Sequence, residues 1–282
     1  MITRRGIIGG AAASLMPAFA KTPKVRLGAM DGILRMSGKV EVVETAAKLG
    51  FEGVEVNIGR PASGASTLPL ADAGLQARYL AAAKQHKMAI SGVVLDVLHV
   101  NWLKSDKLGE KWVADGIQIT AKMKAGVLLL PFFGKGALQT QPERDYVADV
   151  LKNFVGQAQK SKVILGLEDT ISAEDNARIL DRIGSKWASV YYDVGNSTFG
   201  GFDAPKEIRW LGKNRVCQIH LKDRGYLGEG KVDMPDVVRA MKEIGYAGWA
   251  VLETSSPSKN FEEDGKRNLA YARGLLEKEG LR

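Results

Sequence analysis

Residues 163–168 read VILGLE, 189–193 SVYYD, 215–220 RVCQIH and 248–253 GWAVLE. Each is a short apolar run that ends on a side chain able to bind a metal: Glu168, Asp193, His220 and Glu253. The intervals from 168 to 193, 193 to 220 and 220 to 253 are each close to one strand-plus-helix unit.

Working outward, four more apolar runs precede these, at 24–29 (KVRLGA), 53–57 (GVEVN), 88–95 (MAISGVVL) and 126–132 (GVLLLPF). Continuous Val/Ile/Leu runs of this length suit strands of a parallel sheet covered on both faces. The segments between them have helical period. Val237, Met241 and Ile244 recur at i, i+4 and i+7, with Asp233 placed as N-cap, Pro235 in the first turn and Gly245 just past the end. A similar segment, 38–49, stops at Gly50. Eight strands, each followed by a helix and with no linker-like gap, predict a single-domain (β/α)₈ barrel, α/β in class, over 21–282. A doubly wound open sheet is the alternative. It would carry a glycine-rich phosphate loop after its first strand, and Met30-Asp31-Gly32 is no such loop.

In such a barrel the site lies at the C-terminal ends of the strands. An ionisable residue ending one strand is often only a solvated boundary. Four in register would repel or need partners, and a cation resolves that conflict. Three carboxylates and an imidazole are an oxygen-rich set suited to one Mn²⁺, Mg²⁺ or Co²⁺ with open positions, with zinc left open as well.

Here the chain resembles the xylose-isomerase-like barrels of the sugar phosphate isomerase/epimerase type. The order Glu, Asp, His, Glu on strands five to eight is that family's pattern. So is the local wording His220-Leu221-Lys222-Asp223, Leu227-Gly228-Glu229-Gly230, Gly245-Tyr246-Ala247-Gly248-Trp249 and, earlier, Phe51-Glu52-Gly53-Val54-Glu55. The resemblance implies a metal-dependent isomerase or epimerase acting on a keto-sugar or related polyol. The metal would bind a carbonyl oxygen and its neighbouring hydroxyl, acidifying the C–H between them and stabilising an enediolate. Glu168 and Glu253 would be catalytic, one removing the proton and the other returning it, while both remain ligands. Asp193 and His220 would be ligands only. Members also include dehydratases, so a lyase acting on a 3-keto-glycoside or keto-inositol is the runner-up.

Further residues are expected near the substrate. Glu55 ends strand two and would bind a hydroxyl, or else form an ion pair inside the mouth. Lys222 and Asp223 follow the histidine and would orient the site or contact substrate. Asn196 would be a donor behind Asp193 or a turn residue. Trp102, Phe132 and Phe133 are candidates for an apolar wall, at least one of them belonging to the core, and Glu229 lies in a glycine-rich turn able to close over the mouth. Among the remaining histidines, His86 reads as a solvated helix-end residue, and His99, after strand three, as a weaker pocket candidate.

Residues 1–20, MITRRGIIGGAAASLMPAFA, have a basic start, an apolar run and an Ala18-Phe19-Ala20 cleavage pattern, with the paired Arg4-Arg5 of a twin-arginine export signal. The expectation is a cleaved signal and a periplasmic or otherwise exported protein. Removing two arginines takes the formal charge from +8 to +6 (8 − 2), and the remaining basic residues are scattered singly. That pattern fits a solvated surface rather than a nucleic-acid footprint. An apurinic-site endonuclease on this barrel would need several more histidines than the three present, and a binding protein without turnover would not need the glutamate pair. No run reaches the roughly 18 apolar residues of a spanning helix, so no membrane insertion is expected once the signal is removed. The single cysteine, Cys217, excludes an intrachain disulfide. The expected partner is a small carbohydrate. A homo-oligomer is left open, since family members often pair or form tetramers.

Overall fold

The computed structural model describes residues 24–282. The signal reading of residues 1–20 lies outside them. The chain forms a closed parallel barrel whose eight strands neighbour one another in sequence order, β1 (Arg26–Met30), β2 (Gly53–Asn57), β3 (Ala89–Val94), β4 (Val127–Pro131), β5 (Ile164–Glu168), β6 (Ala188–Asp193), β7 (Val216–Leu221) and β8 (Trp249–Leu252). Each expected strand is present within one or two residues of its reading. Glu253 lies just past β8, its N–H donating to Leu221 O at 3.1 Å, an ordinary ladder distance.

Strand alternation decides what goes inward. On β5, Leu165 and Leu167 pack outward among the helices, leaving Ile164, Gly166 and Glu168 for the barrel interior. The interior apolar plug is small: Val94, Val127, Leu129 and Tyr191, with Met30, Ile164 and Cys217 beside it. The main core, Val25 to Leu281, lies between strands and helices. Period two thus places Tyr191 one layer below Asp193, and Gln218 one layer below His220. Asp193 and His220 are direct register partners, as are Pro131 and Glu168.

The helices begin and end where their chemistry dictates. The helix Met234–Glu243 starts at Asp233, whose side chain accepts from Asp236 N, with Pro235 in the first turn and Gly245 at φ 65° beyond it. The segment expected over 38–49 is helical only from Val42 to Leu49, because residues 38–41 are spent in turns. It stops at Gly50, φ 95°. A short helix unforeseen in the sequence, Val194–Phe199, starts directly at β6, with the Asp193 side chain as its cap, accepting from Asn196 N. Its first turn lies against β7. A Cβ on Gly195 would stand 2.8 Å from Lys222 Cγ and 2.9 Å from Lys222 O.

That contact sets the relative positions of Asp193 and His220, so Gly195→Ala is expected to cost about 1–3 kcal/mol through overpacking. Gly274→Ala, in the exposed middle of the helix Phe261–Lys278 with open space around it, is expected to stabilise by about 0.5–1 kcal/mol. Urea unfolding of the two variants reads the difference, and equal midpoints would remove the packing argument.

Candidate metal centre

One ligand atom from each of Glu168, Asp193, His220 and Glu253 lies within 4.8 Å of all the others. His220 Nδ1 is the hub, 3.0 Å from Glu168 Oε1, 3.3 Å from Glu253 Oε2 and 3.9 Å from Asp193 Oδ2. Glu168, Asp193 and His220 are buried, and the Glu253 side chain is about a quarter exposed. Four residues far apart in sequence are brought to one point because each is the last inward position at, or in the case of Glu253 just past, the C-terminal end of its strand.

Carboxylates held this close repel by about 4 kcal/mol per pair at 4 Å, even at an effective dielectric of 20. The only ammonium bonded to them among the described residues is Lys222, with Nζ 2.9 Å from Glu253 Oε2 and 3.4 Å from Asp193 Oδ2. Three carboxylates against one lysine leave a formal charge of −2 (−3 + 1). The acid–base behaviour records the deficit. Burial and the charge of Glu253 push Asp193 well above the ordinary aspartate range, and burial raises Glu168. Burial alone would lower His220, but the charges of Glu168 and Glu55 outweigh it and drive the imidazole well up. Lys222 is likewise raised, burial being overcome by Asp193 and Glu253. Burial would raise Glu253, yet hydrogen bonding and charge from His220, with Lys222, hold it below the usual range.

The set fits a divalent cation on two counts. Asp193 Oδ1 accepts from Asn196 N at 2.8 Å, while its buried Oδ2 has no hydrogen-bond partner and only the 3.4 Å ion-pair contact with Lys222 Nζ. A buried carboxylate oxygen held only by that longer contact gains from a closer positive charge. The donors, three hard oxygens and one imidazole nitrogen, suit Mn²⁺, Mg²⁺ or Co²⁺ and admit zinc.

A cavity of about 240 Å³ opens above the cluster. Of the four candidate ligands, Glu168 and Glu253 line it and Asp193 and His220 do not. Lys222 and Asn196 line the same side, and Asp96, His99 and Phe133 face them. His99 and Phe133 stack at 6.1 Å, and Arg60 holds Asp96 through two hydrogen bonds.

Other expected residues fall elsewhere. Glu55 is not at the mouth for a substrate hydroxyl. It is fully buried beneath the cluster, with Oε2 2.9 Å from His220 Nε2 and Oε1 accepting from the Tyr191 hydroxyl at 2.8 Å. Neither expected role at the mouth is met: Glu55 instead meets the His220 ring from below. Asp223 is not free for substrate either. Its carboxylate accepts from the backbone N–H groups of Arg224, Gly230 and Lys231, tying down the turn that follows β7. Trp102 lies off the cavity, donating to His99 O and covering Gly136, because it sits beyond the 3₁₀ turn after β3 that carries His99 inward. Phe132 is core. Glu229 pairs with Arg267 on the outer surface. His86 borders a groove beside Arg26 and Trp249, at the opposite end of the barrel.

Sequence reading missed Tyr191, Gln218 and Asp96. Period-two counting back from Asp193 and His220 would have found the first two. Asp96 sits in a 3₁₀ turn, which carries no such signal.

Residues 43–277 match the Xylose isomerase-like TIM barrel family. Over 128 residues the chain is 31% identical to the Escherichia coli (strain K12) protein named "Putative L-ribulose-5-phosphate 3-epimerase SgbU", covering 39% of this chain and 44% of that one. Over 163 residues it is 28% identical to an inosose dehydratase of Geobacillus thermodenitrificans (strain NG80-2), 45% and 52% of the respective chains. The matches thus span about half the length of these relatives. The fold agrees with that of an L-ribulose 3-epimerase, at TM-score 0.74 and 17% identity over 90% of this chain and 95% of the other. It also agrees with that of the 3-keto-D-glucoside 4-epimerase YcjR of E. coli, at 0.71 and 15% over 89% and 100%. With a closed eight-stranded barrel, four donors at its C-terminal rim and a family match across most of its length, this chain belongs to the Xylose isomerase-like TIM barrel family.

Proposed function

We propose that the protein is a divalent-metal-dependent isomerase or epimerase of a keto-sugar or related polyol. The observation that carries this reading is the division within the cluster. Glu168 and Glu253 reach the cavity, whereas Asp193 and His220 stay behind them. All four would hold the cation, and only the two glutamates would also touch substrate. Bound there, the cation supplies Lewis acidity to a carbonyl oxygen and its neighbouring hydroxyl.

The protein's own groups do the rest. One glutamate accepts the proton from the carbon beside the carbonyl, and the other delivers a proton to the same or the adjacent carbon. Before any cation binds, the environments of the pair already differ: burial raises Glu168, and His220 and Lys222 hold Glu253 down. Lys222 fixes the Glu253 carboxylate through Oε2, and the cap from Asn196 N orients Asp193. Phe133, stacked with His99, offers an apolar face to the C–H side of a sugar.

A lyase is the second reading, favoured by the likeness to an inosose dehydratase over 163 residues. It begins with the same proton abstraction and differs in losing a group β to the carbonyl. Mn²⁺, Mg²⁺ or Co²⁺ is the proposed metal, and a small carbohydrate the proposed partner. Export is proposed from Arg4-Arg5 and Ala18-Phe19-Ala20, with the mature chain beginning at residue 21.

Incubating the protein in D₂O with free ketoses and with 3-keto-glycosides tests this directly. Deuterium should enter at the carbon beside the carbonyl, product identity separates epimerisation from elimination, and no exchange in any substrate would overturn the proposal. Glu168→Gln and Glu253→Gln should each lower the turnover rate at least about 100-fold. Retained exchange in either variant removes that residue from proton transfer. Stripping with a chelator should abolish exchange and Mn²⁺ should restore it; activity indifferent to both would end the metal reading.

A further inference from the structure

Beneath the cluster, behind His220, runs a buried chain of polar groups that neither substrate nor cation would touch. His220 turns Nδ1 to the three carboxylates and Nε2 to Glu55 Oε2, at 2.9 Å. The other oxygen of Glu55 accepts from the Tyr191 hydroxyl at 2.8 Å, and that hydroxyl accepts in turn from Gln218 Nε2 at 3.2 Å. Tyr191 also lies against the imidazole, ring centroids 4.5 Å apart. Glu55 and His220 have no exposure, and Tyr191 and Gln218 are at 1%. The carboxylate is given room by a missing side chain: a Cβ on Gly92 would stand 2.8 Å from Glu55 Oε1.

We infer that Glu55 is a positioning residue for the metal centre, holding the His220 ring and fixing its proton on Nε2 so that Nδ1 presents a lone pair to the cation. An imidazole has two nitrogens, and the partner of one decides which tautomer the other shows. A carboxylate behind a histidine also makes the ring a stronger donor. A burial this complete, with both oxygens engaged, leaves Glu55 no route to substrate, so its influence must pass through His220. Tyr191 and Gln218 hold the carboxylate in turn, and Gly92 keeps its place open. The inference rests on reading the cluster as a metal site.

The test is Mn²⁺ affinity, measured by chelator competition on wild-type protein, Glu55→Gln and Tyr191→Phe. The amide keeps the shape of the side chain and removes its charge, so Glu55→Gln should bind Mn²⁺ about 10- to 100-fold more weakly. Tyr191→Phe, which leaves the Glu55 side chain in place but less firmly held, should lose a smaller factor of about 3, scaled from the same second-layer effect. The visible absorption of the Co²⁺-loaded protein should shift in Glu55→Gln, a change that a purely structural role for Glu55 would not produce. Affinity within twofold of wild type in folded Glu55→Gln, with an unchanged Co²⁺ spectrum, overturns the inference while leaving the metal site intact. Should Glu55→Gln not fold, unchanged affinity in Tyr191→Phe does so instead. A wild-type protein that takes up neither Mn²⁺ nor Co²⁺ defeats the metal reading itself, a distinguishable result.

Discussion

Excess negative charge in a space too small and too dry to hold it is the constraint from which the architecture of this site follows. Glu168, Asp193 and Glu253 converge on His220 with one lysine for compensation. Glu55 adds a fourth carboxylate from below. A fold does not keep such a group for its stability. Apolar residues of similar volume would serve a barrel core as well or better, and removing one member of a buried charged set is costly because it strands the others. The arrangement makes physical sense as a receptor for positive charge, and Asp193 Oδ2, with no hydrogen bond and only the longer contact to Lys222, faces the place where that charge belongs.

The barrel makes this tolerable by separating its two tasks. Stability comes from the apolar layer between strands and helices, which includes Leu165, Leu167, Ile219 and Leu252, whereas the interior carries few apolar side chains of its own. Because a strand reverses its side chains at every residue, the same four strands can give one face to the core and the other to the site without compromise. Glycines complete the device. Gly92 admits the Glu55 carboxylate, and Gly195 lets the short helix after β6 lie on β7, so that Asp193 both caps that helix and faces His220.

The sequence made the scaffold and the four donors legible because both obey rules of period. Apolar runs ending on Glu168, Asp193, His220 and Glu253 announce strands and rim positions together, and the strand bounds agree within a residue or two. What stayed hidden was direction. Glu55 ends the apolar part of its strand much as Glu168 does, but Asn57, two positions on, occupies the outer inward site of β2 and leaves Glu55 a layer lower. Asp223 follows His220 by three residues and looks available, yet the backbone of residues 224–231 folds round its carboxylate. Trp102 and His99 lie on the same loop, and only a 3₁₀ turn decides which of them reaches the cavity. Local periodicity says nothing of such turns.

The site is therefore stratified by depth, and depth sorts its residues by role. Glu55, Tyr191 and Gln218 lie deepest and see only protein. Asp193 and His220 occupy the next level, buried but aimed at the shared centre. Glu168 and Glu253 span from that centre to the cavity, and Lys222 and Asn196 stand beside them. The opposite wall takes Asp96, His99 and Phe133 from loops, above Val94 and Pro131 at the ends of β3 and β4. If the proposed reading holds, substitutions in those loops would change what the cavity accepts without disturbing the charge balance below, and a change at the deeper levels would alter that balance whatever the cavity holds. This is a physical reason for one scaffold to serve several reactions that share a first proton transfer: the chemistry is anchored in the strands, and the choice of molecule is made above them.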